Sequence, residues 1–573
     1  MKGAAVSGFI AVVLSATMAA QGPAPEITSI KQEDMRADLV FLASDAMRGR
    51  LTDTPENKLA AEWIASRFAR LGLKPIGDGS SYYHQYNLTT ATLGADNRLI
   101  ARVGSPSRSV NADGSVSYTT GTVQVFDREK SFYPLRFSPT ADASGEVVFV
   151  GFGISSPERG YDDYQGDVKG RIVLALDHEP GESDPNSPFD GIVTSQVSDQ
   201  LWKTLAAQEK GAAGIIFVSD VHNHQGPGMG QGPGTAGQAP ATGDAFARAR
   251  ANYWPTTEPR IPRYMLGAWV ERVRIPAMQI SPAAAEEFLK KSNRSLPELA
   301  KASESANGST PIPLGVTVEI ATAVDRKMIP DRNVVALLEG SDPKLRDEVV
   351  IVCAHYDHDG VNGENVLNGA DDDGSGTVGV LEIAEAFALA AEKGQRPRRS
   401  ILFAAWNSEE RGLFGAWAYT ERPLRPLAQA VAVLNMDMIG RNEEVPEGGT
   451  GRFRGLETQT AESNSNAVNI IGTTRSATLK EAVERANRNT NLTLRLRYDN
   501  NASQLMRRSD HWPFLNRGVP AVWIHTGLHP DYHTPNDDAD RINYSKMEKI
   551  ARMVYQAAWD LADAAGRPGI DTR

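Results

Sequence analysis

The residues best suited to chemistry gather in the second half of the chain. Six of the ten histidines fall between positions 355 and 533, in company with dense carboxylates. One group reads Ala354-His355-Tyr356-Asp357-His358-Asp359, and a loop follows as Asn368-Gly-Ala-Asp371-Asp372-Asp373-Gly374-Ser375-Gly376. From Asp357 to Asp373 there are six acidic residues and no Lys or Arg. Three adjacent carboxylates at a helix start gain something from the helix dipole. A divalent cation is a stronger answer to their mutual repulsion. Downstream stand Asn407-Ser408-Glu409-Glu410, then Asp437, then His529-Pro-Asp-Tyr532-His533-Thr534-Pro535. In a neighbouring Glu pair, one carboxylate can bind metal while the other handles protons. Histidines and several carboxylates without thiolates suit a hard, oxygen-rich zinc site, and two ions bridged by one carboxylate would use this inventory economically.

Other chemistries fail on inspection. There is no G-x-S-x-G nucleophile elbow, and Gly374-Ser-Gly lacks that spacing. Neither a P-loop nor H-E-x-x-H occurs. The single cysteine, Cys353, reads as packed at a strand end rather than nucleophilic, and one thiol excludes a disulfide framework within the chain. Sixty Lys plus Arg against 71 Asp plus Glu give a formal charge of −11, which offers no basic face for nucleic acid or anionic lipid. With 41% hydrophobic and 23% charged residues over 573 positions, the chain is expected to fold into more than one domain.

The elements that must position these groups can be read from the pattern. Strands are expected at 333–339, 349–354, 400–405, 430–435 and 519–524, and helices at 376–391, 412–420, 474–488 and 545–562. Several of the strands are apolar with little alternation, as in a sheet covered by helices on both faces. Such an α/β domain places its chemistry at the carboxyl ends of the strands, and the main motifs do begin where a strand gives out. Residues 29–75 read as helical. From Gly145 the pattern becomes strands and turns, giving a compact unit over roughly 140–300 with a Gly-, Pro- and Gln-rich loop at 222–243. Residues 1–21 place one Lys before an apolar run and small residues, the pattern of a signal peptide cleaved after Ala19 or Ala20. The mature chain is therefore expected to be exported, periplasmic or secreted. No later run approaches a membrane span, so no transmembrane anchor is expected.

Taken together and in order, AHYDHDG, NGADDDGSG, AAWNSEERGLFG, LNMDMIGR and PDYHTPNDDADRI resemble the M28 family of co-catalytic zinc aminopeptidases. The resemblance covers roughly 325–565. Residues 29–75 also resemble the N-terminal helices of such enzymes, and the 140–300 unit resembles a protease-associated domain. The implied organisation is a signal peptide at 1–20, an N-terminal portion of the peptidase at 25–139, an inserted β-rich domain at 140–300, and the peptidase proper at 325–565. The implied fold is an α/β mixed-sheet zinc-peptidase domain with helices on both faces. Carried over residue by residue, the resemblance implies two zinc ions per chain. His355 and Asp437 would hold one, Glu410 and His533 the other, and Asp372 would bridge them. Glu409 would be the general base, Asp357 would orient His355, and Tyr532 would donate to the oxyanion. The implied activity is removal of the N-terminal residue from peptides with a free N-terminus. A carboxypeptidase or dipeptidase of the same family is the alternative, with Arg441, Arg507 or Arg508 available to grip a terminal carboxylate. A glutaminyl cyclase or a non-catalytic binding protein is more remote.

Overall fold

The computed structural model describes residues 22–571, apart from 104–106, 111–112, 114, 120–121 and 224–242. The expected signal segment, and most of the Gly- and Pro-rich stretch at 222–243, lie outside the described residues.

Four parallel strands form the centre of the larger sheet, side by side in the order Ser400–Trp406, Val349–His355, Ala430–Met436 and Ala521–His525. All are buried along their whole length. Their apolar runs follow from this burial, because successive side chains point to opposite faces and both faces are covered. Val350, Val352, Ile401 and Phe403 meet one helical layer: Gln32–Leu42, Pro55–Arg70, Gly376–Glu392, Ala477–Ala486 and Tyr544–Asp563. Ile351, Cys353, Leu402 and Trp406 face the other way, onto Phe414–Glu421 and Phe514. Antiparallel strands flank this core: Val324–Leu338 pairs with Ser400–Trp406, and Ala467–Ile471 pairs with Ala521–His525. The sheet is mixed, as expected.

Local sequence starts these helices. Thr54 accepts a hydrogen bond from the Asn57 amide (3.2 Å) and Pro55 opens the first turn, so an otherwise orphaned N–H is satisfied. Ser476 and Asn543 cap their helices in the same way. By length and composition Ala370–Glu392 could cross a membrane, but 83% of its apolar window is buried inside the fold. It is the central helix of the larger core.

A second sheet draws its strands from Arg98 to Thr322, in the order Thr122–Val125, Arg98–Val103, Ile312–Thr322, Ala141–Phe149, Ile172–Leu176, Gly214–Val218, Ala277–Ile280 and Phe132–Pro134. This unit is wider than the expected 140–300. Ile312–Thr322 pairs with both Ala141–Phe149 and Arg98–Val103, extending the sheet with segments from either side. Those flanks are short or polar-alternating, which is why their membership is hard to read from the chain. The unit is entered and left by a long antiparallel ribbon, Tyr83–Leu93 against Val324–Val334. It packs against the helix Phe414–Glu421 that covers the larger sheet, through Trp269, whose ring lies 6.1 Å from Phe414 and 5.4 Å from Trp417.

Candidate metal centre

The site forms where the four parallel strands end. Val349–His355 delivers His355, Ser400–Trp406 delivers Glu409 and Glu410, and Ala430–Met436 delivers Asp437. The loop beyond Ala521–His525 delivers Tyr532 and His533. Asp372 arrives from the turn before Gly376–Glu392. That turn is held close to the Asp437 strand: a Cβ on Gly376 would lie 2.2 Å from the Met436 carbonyl oxygen, so only glycine permits the approach.

The three consecutive aspartates divide their work. Asp371 accepts from the Gly440 amide (2.6 Å) and lies 3.2 Å from His529 Nε2. Asp373 accepts from the amides of Gly376 (2.8 Å), Met438 (3.1 Å) and His355 (3.1 Å), so it satisfies the helix start and ties two strand ends to it. Asp372 is left facing the histidines. Its Oδ1 lies 3.3 Å from His355 Nε2, and its Oδ2 lies 2.9 Å from His533 Nε2.

Two clusters of ligand atoms meet at this carboxylate. The first joins His358, Asp372, Glu410 and His533, and the second joins His355, Glu409 and Asp437; within each, the ligand atoms lie within 4.8 Å of one another. His355 Nε2 is 3.8 Å from Glu409 and 3.9 Å from Asp437. His533 Nε2 is 3.3 Å from Glu410, and His358 Nδ1 is 2.8 Å from the same oxygen, Glu410 Oε1. Buried atoms in both clusters lack a well-directed hydrogen bond, namely His355 Nε2, both ring nitrogens of His358, Glu410 Oε1 and His533 Nε2. Leaving so many buried donors and acceptors unpaired is costly. A cation between them would remove that cost, and imidazoles with carboxylates are the donors that zinc takes. The residues present fit the metal.

Support from behind fixes the donors. Asp357 is fully buried, and its carboxylate accepts from the Glu409 amide (3.0 Å) and stands 3.6 Å from His355 Nδ1. It therefore touches both the histidine and the backbone of the adjacent Glu pair. Asp437 Oδ2 accepts from Ser509 Oγ, and Ser509 Oγ in turn accepts from Asn435 Nδ2 (2.7 Å). Asp359 stands 3.2 Å from His533 Nδ1 and is paired with Arg411. Such outer contacts set the orientation of ligating histidines. The two glutamates are driven apart electrostatically. Burial pushes Glu409 well above the usual carboxylate range. Burial acts on Glu410 too, but His533 and His358 pull it well below. A strongly basic carboxylate beside a fully ionised one is the division expected of a proton carrier and a ligand.

All eight residues singled out in the sequence stand in this one site. Tyr532 packs against His533 with ring centroids 3.9 Å apart and the rings tilted by 42°, and its hydroxyl accepts from Arg508 Nη2 at 3.3 Å. Sequence reasoning gave no role to His358, Ser509 or Asp359. The His355-x-x-His358 spacing was visible, but nothing in it tells a loop histidine aimed at Glu410 from one aimed at solvent.

Residues 333–558 match the profile of Peptidase family M28. A probable glutamate carboxypeptidase, AMP1 of Arabidopsis thaliana, is 27% identical over 435 residues, which is 74% of this chain and 54% of that protein. A probable leucine aminopeptidase of Arthroderma otae is 27% identical over 231 residues, covering 39% of this chain and 56% of that protein. The chain thus spans about half the length of these curated relatives. Among solved structures, an aminopeptidase from Aneurinibacillus sp. strain AM-1 aligns over 95% of this chain and 96% of its own at 18% identity, with a TM-score of 0.42, a likeness too loose to carry a conclusion. The part of the chain that bears the site, residues 333–558, belongs to peptidase family M28.

Proposed function

We propose that this chain is a zinc-dependent exopeptidase that holds two ions and hydrolyses the N-terminal peptide bond of peptides. The observation that carries the reading is the placement of Asp372, one oxygen toward His355 and the other toward His533, between two clusters of donors. His355 and Asp437 would hold one ion, Glu410 and His533 the other, with Asp372 shared. Bound zinc supplies Lewis acidity that makes a water more acidic and polarises the scissile carbonyl.

The remaining work falls to the protein. Glu409, not needed as a ligand and made basic by burial, takes the proton from the attacking water and later delivers it to the leaving amine. Tyr532 donates its hydroxyl proton to the oxygen on which charge develops. Asp357 keeps His355 and the Glu409 backbone in register. A free substrate amine is favoured beside Glu409 and Asp437, which supports aminopeptidase action. The unit built from residues 98–322 is read as a protease-associated domain on the strength of its β-rich sheet and its place between the two halves of the peptidase.

A panel of pentapeptides, free or blocked at either end, tests the reading. N-acetylation is expected to abolish cleavage and C-amidation to leave it, with the released residue identified by mass. Cleavage that survives acetylation and is lost on amidation would replace the reading with a carboxypeptidase. Glu409→Gln is expected to keep its zinc and lose turnover by a factor of about 10²–10⁴. Full activity in that variant would remove Glu409 from the role of base.

A further inference from the structure

The cavity over the candidate metal centre has a mixed lining: the carboxylates Asp372, Glu409 and Asp437 share it with the apolar Leu505, Trp523 and Leu528 and with Arg508.

Arg508 is the unusual member. Among the described residues its guanidinium forms no ion pair, and the guanidinium's one hydrogen-bond partner is the neutral Tyr532 hydroxyl. The two other arginines near the motifs are occupied elsewhere. Arg441 binds Asp531 at 2.7 Å, while Arg507 donates to the Thr194 carbonyl (3.0 Å) and lies 3.5 Å from Asp199. A second guanidinium lies close by. Arg452 lies 5.6 Å from the Tyr532 ring, and its Nη1 is buried without a hydrogen-bond partner. A half-buried guanidinium against apolar walls has lost part of its hydration and gained no anion. It is the arrangement to which a carboxylate binds bidentately.

The segment bearing Arg508 is also braced. Asn500 accepts from the Ile192 amide (2.9 Å), and Gln504 accepts from the Thr194 amide (2.8 Å) while donating to the Ile192 carbonyl (2.6 Å). Residues 192–194 belong to the inserted unit. That unit therefore braces the segment that leads into Arg508 at the cavity.

We propose that Arg508 binds a carboxylate of the substrate close to the scissile bond, making this site selective for short peptides that carry an anion there. The inference rests on the exopeptidase reading above and narrows its substrate class. The anion can be the α-carboxylate of a dipeptide or the side chain of Asp or Glu, and the substrates below separate the two.

The test compares the zinc-loaded parent with Arg508→Gln and Arg508→Lys, each checked for zinc content and melting temperature. The substrate pairs are Ala-Ala with Ala-Ala-NH2, Glu-Ala-NH2 with Gln-Ala-NH2, and Ala-Glu-NH2 with Ala-Gln-NH2. At least one anionic substrate is expected to lose roughly 50-fold or more in kcat/KM in Arg508→Gln, with its neutral partner changed less than threefold, and Arg508→Lys falling between. Equal losses on neutral and anionic substrates would overturn the proposal, assigning Arg508 to Tyr532 instead. No loss on any substrate would overturn it too. Binding supplies the independent readout. Calorimetry of zinc-loaded Glu409→Gln protein should give tighter binding of the anionic member of one pair, and adding Arg508→Gln should erase the difference. A parent that hydrolyses none of these peptides but shows that difference would refute the exopeptidase reading and leave the carboxylate site standing.

Discussion

Arg50→Met tests the architecture beneath the site. Arg50 is fully buried in a turn between the first two helices, and its guanidinium donates to four backbone carbonyls: Tyr356 (2.8 Å), Leu42 (2.8 Å), Asn368 (2.7 Å) and Gly369 (2.9 Å). Two of these carbonyls lie just before Asp371–Asp373, and one lies just after His355. A single side chain thus ties the N-terminal segment to two of the loops that carry proposed metal ligands. Burial lowers its pKa to about 10, so it stays charged at neutral pH, with Asp357, Asp537, Asp372 and Asp373 as countercharges. Each charge-assisted hydrogen bond contributes about 1.5–3 kcal/mol, and each carbonyl left unsatisfied costs about 1–3 kcal/mol. Local collapse and entry of water recover part of that sum. The expected loss is about 4 kcal/mol, in the range for removing one partner from a buried charged network. Arg50→Lys should lose about half as much, because an ammonium offers three donors and cannot reproduce the fork. Urea unfolding followed by tryptophan fluorescence measures this, together with a melting midpoint lowered by roughly 3–4 °C. A loss below about 1 kcal/mol in Arg50→Met would refute the reasoning from buried-carbonyl satisfaction.

Three further outcomes follow from the same geometry. Asp372→Asn should lower zinc content from two ions toward one or fewer per chain by elemental analysis after dialysis; retention of both ions would remove Asp372 from the bridging position. His358→Gln should weaken zinc binding by about 10–100-fold in chelator competition, and an unchanged affinity would mean that its contact with Glu410 is incidental. Lys203, buried in the inserted unit with its ammonium on the Leu176 and His178 carbonyls, has its pKa lowered to about 8 by burial against an ordinary 10.5. Below pH 8 both folded and unfolded states hold the proton and the burial penalty is full. As pH rises from about 8 to 10.5 the folded state releases its proton first, so parent stability should rise by about 3 kcal/mol relative to Lys203→Met. A difference between the two that stays flat across this window would contradict the burial argument.

Much of the fold and the site was legible in the chain. The strands ending at His355, Trp406 and Met436 announce themselves as unbroken apolar runs, because a strand covered on both faces must be apolar throughout. The carboxylates and histidines that follow are conspicuous because nothing but a cation makes such a cluster cheap to bury. The outline of the inserted unit was less legible, since Arg98–Val103 and Ile312–Thr322 read as strands at most, and nothing local says that their partners lie in the sheet of the 140–300 segment. Arg50 was invisible for a similar reason: three of its four partners are backbone carbonyls some three hundred residues away, and a carbonyl leaves no trace in sequence.

The chain by itself determined the inventory of donors, the strand ends from which they project and the absence of a thiolate or serine nucleophile. These are local properties, set by residue type and hydrophobic period. Only the tertiary structure decided which aspartate of three turns toward the histidines, which glutamate is made basic and which kept ionised, and which arginine is left without an acid. Those outcomes depend on burial and on neighbours brought from distant segments. Electrostatics inside a protein is set by distance and desolvation, and neither exists until the chain has folded.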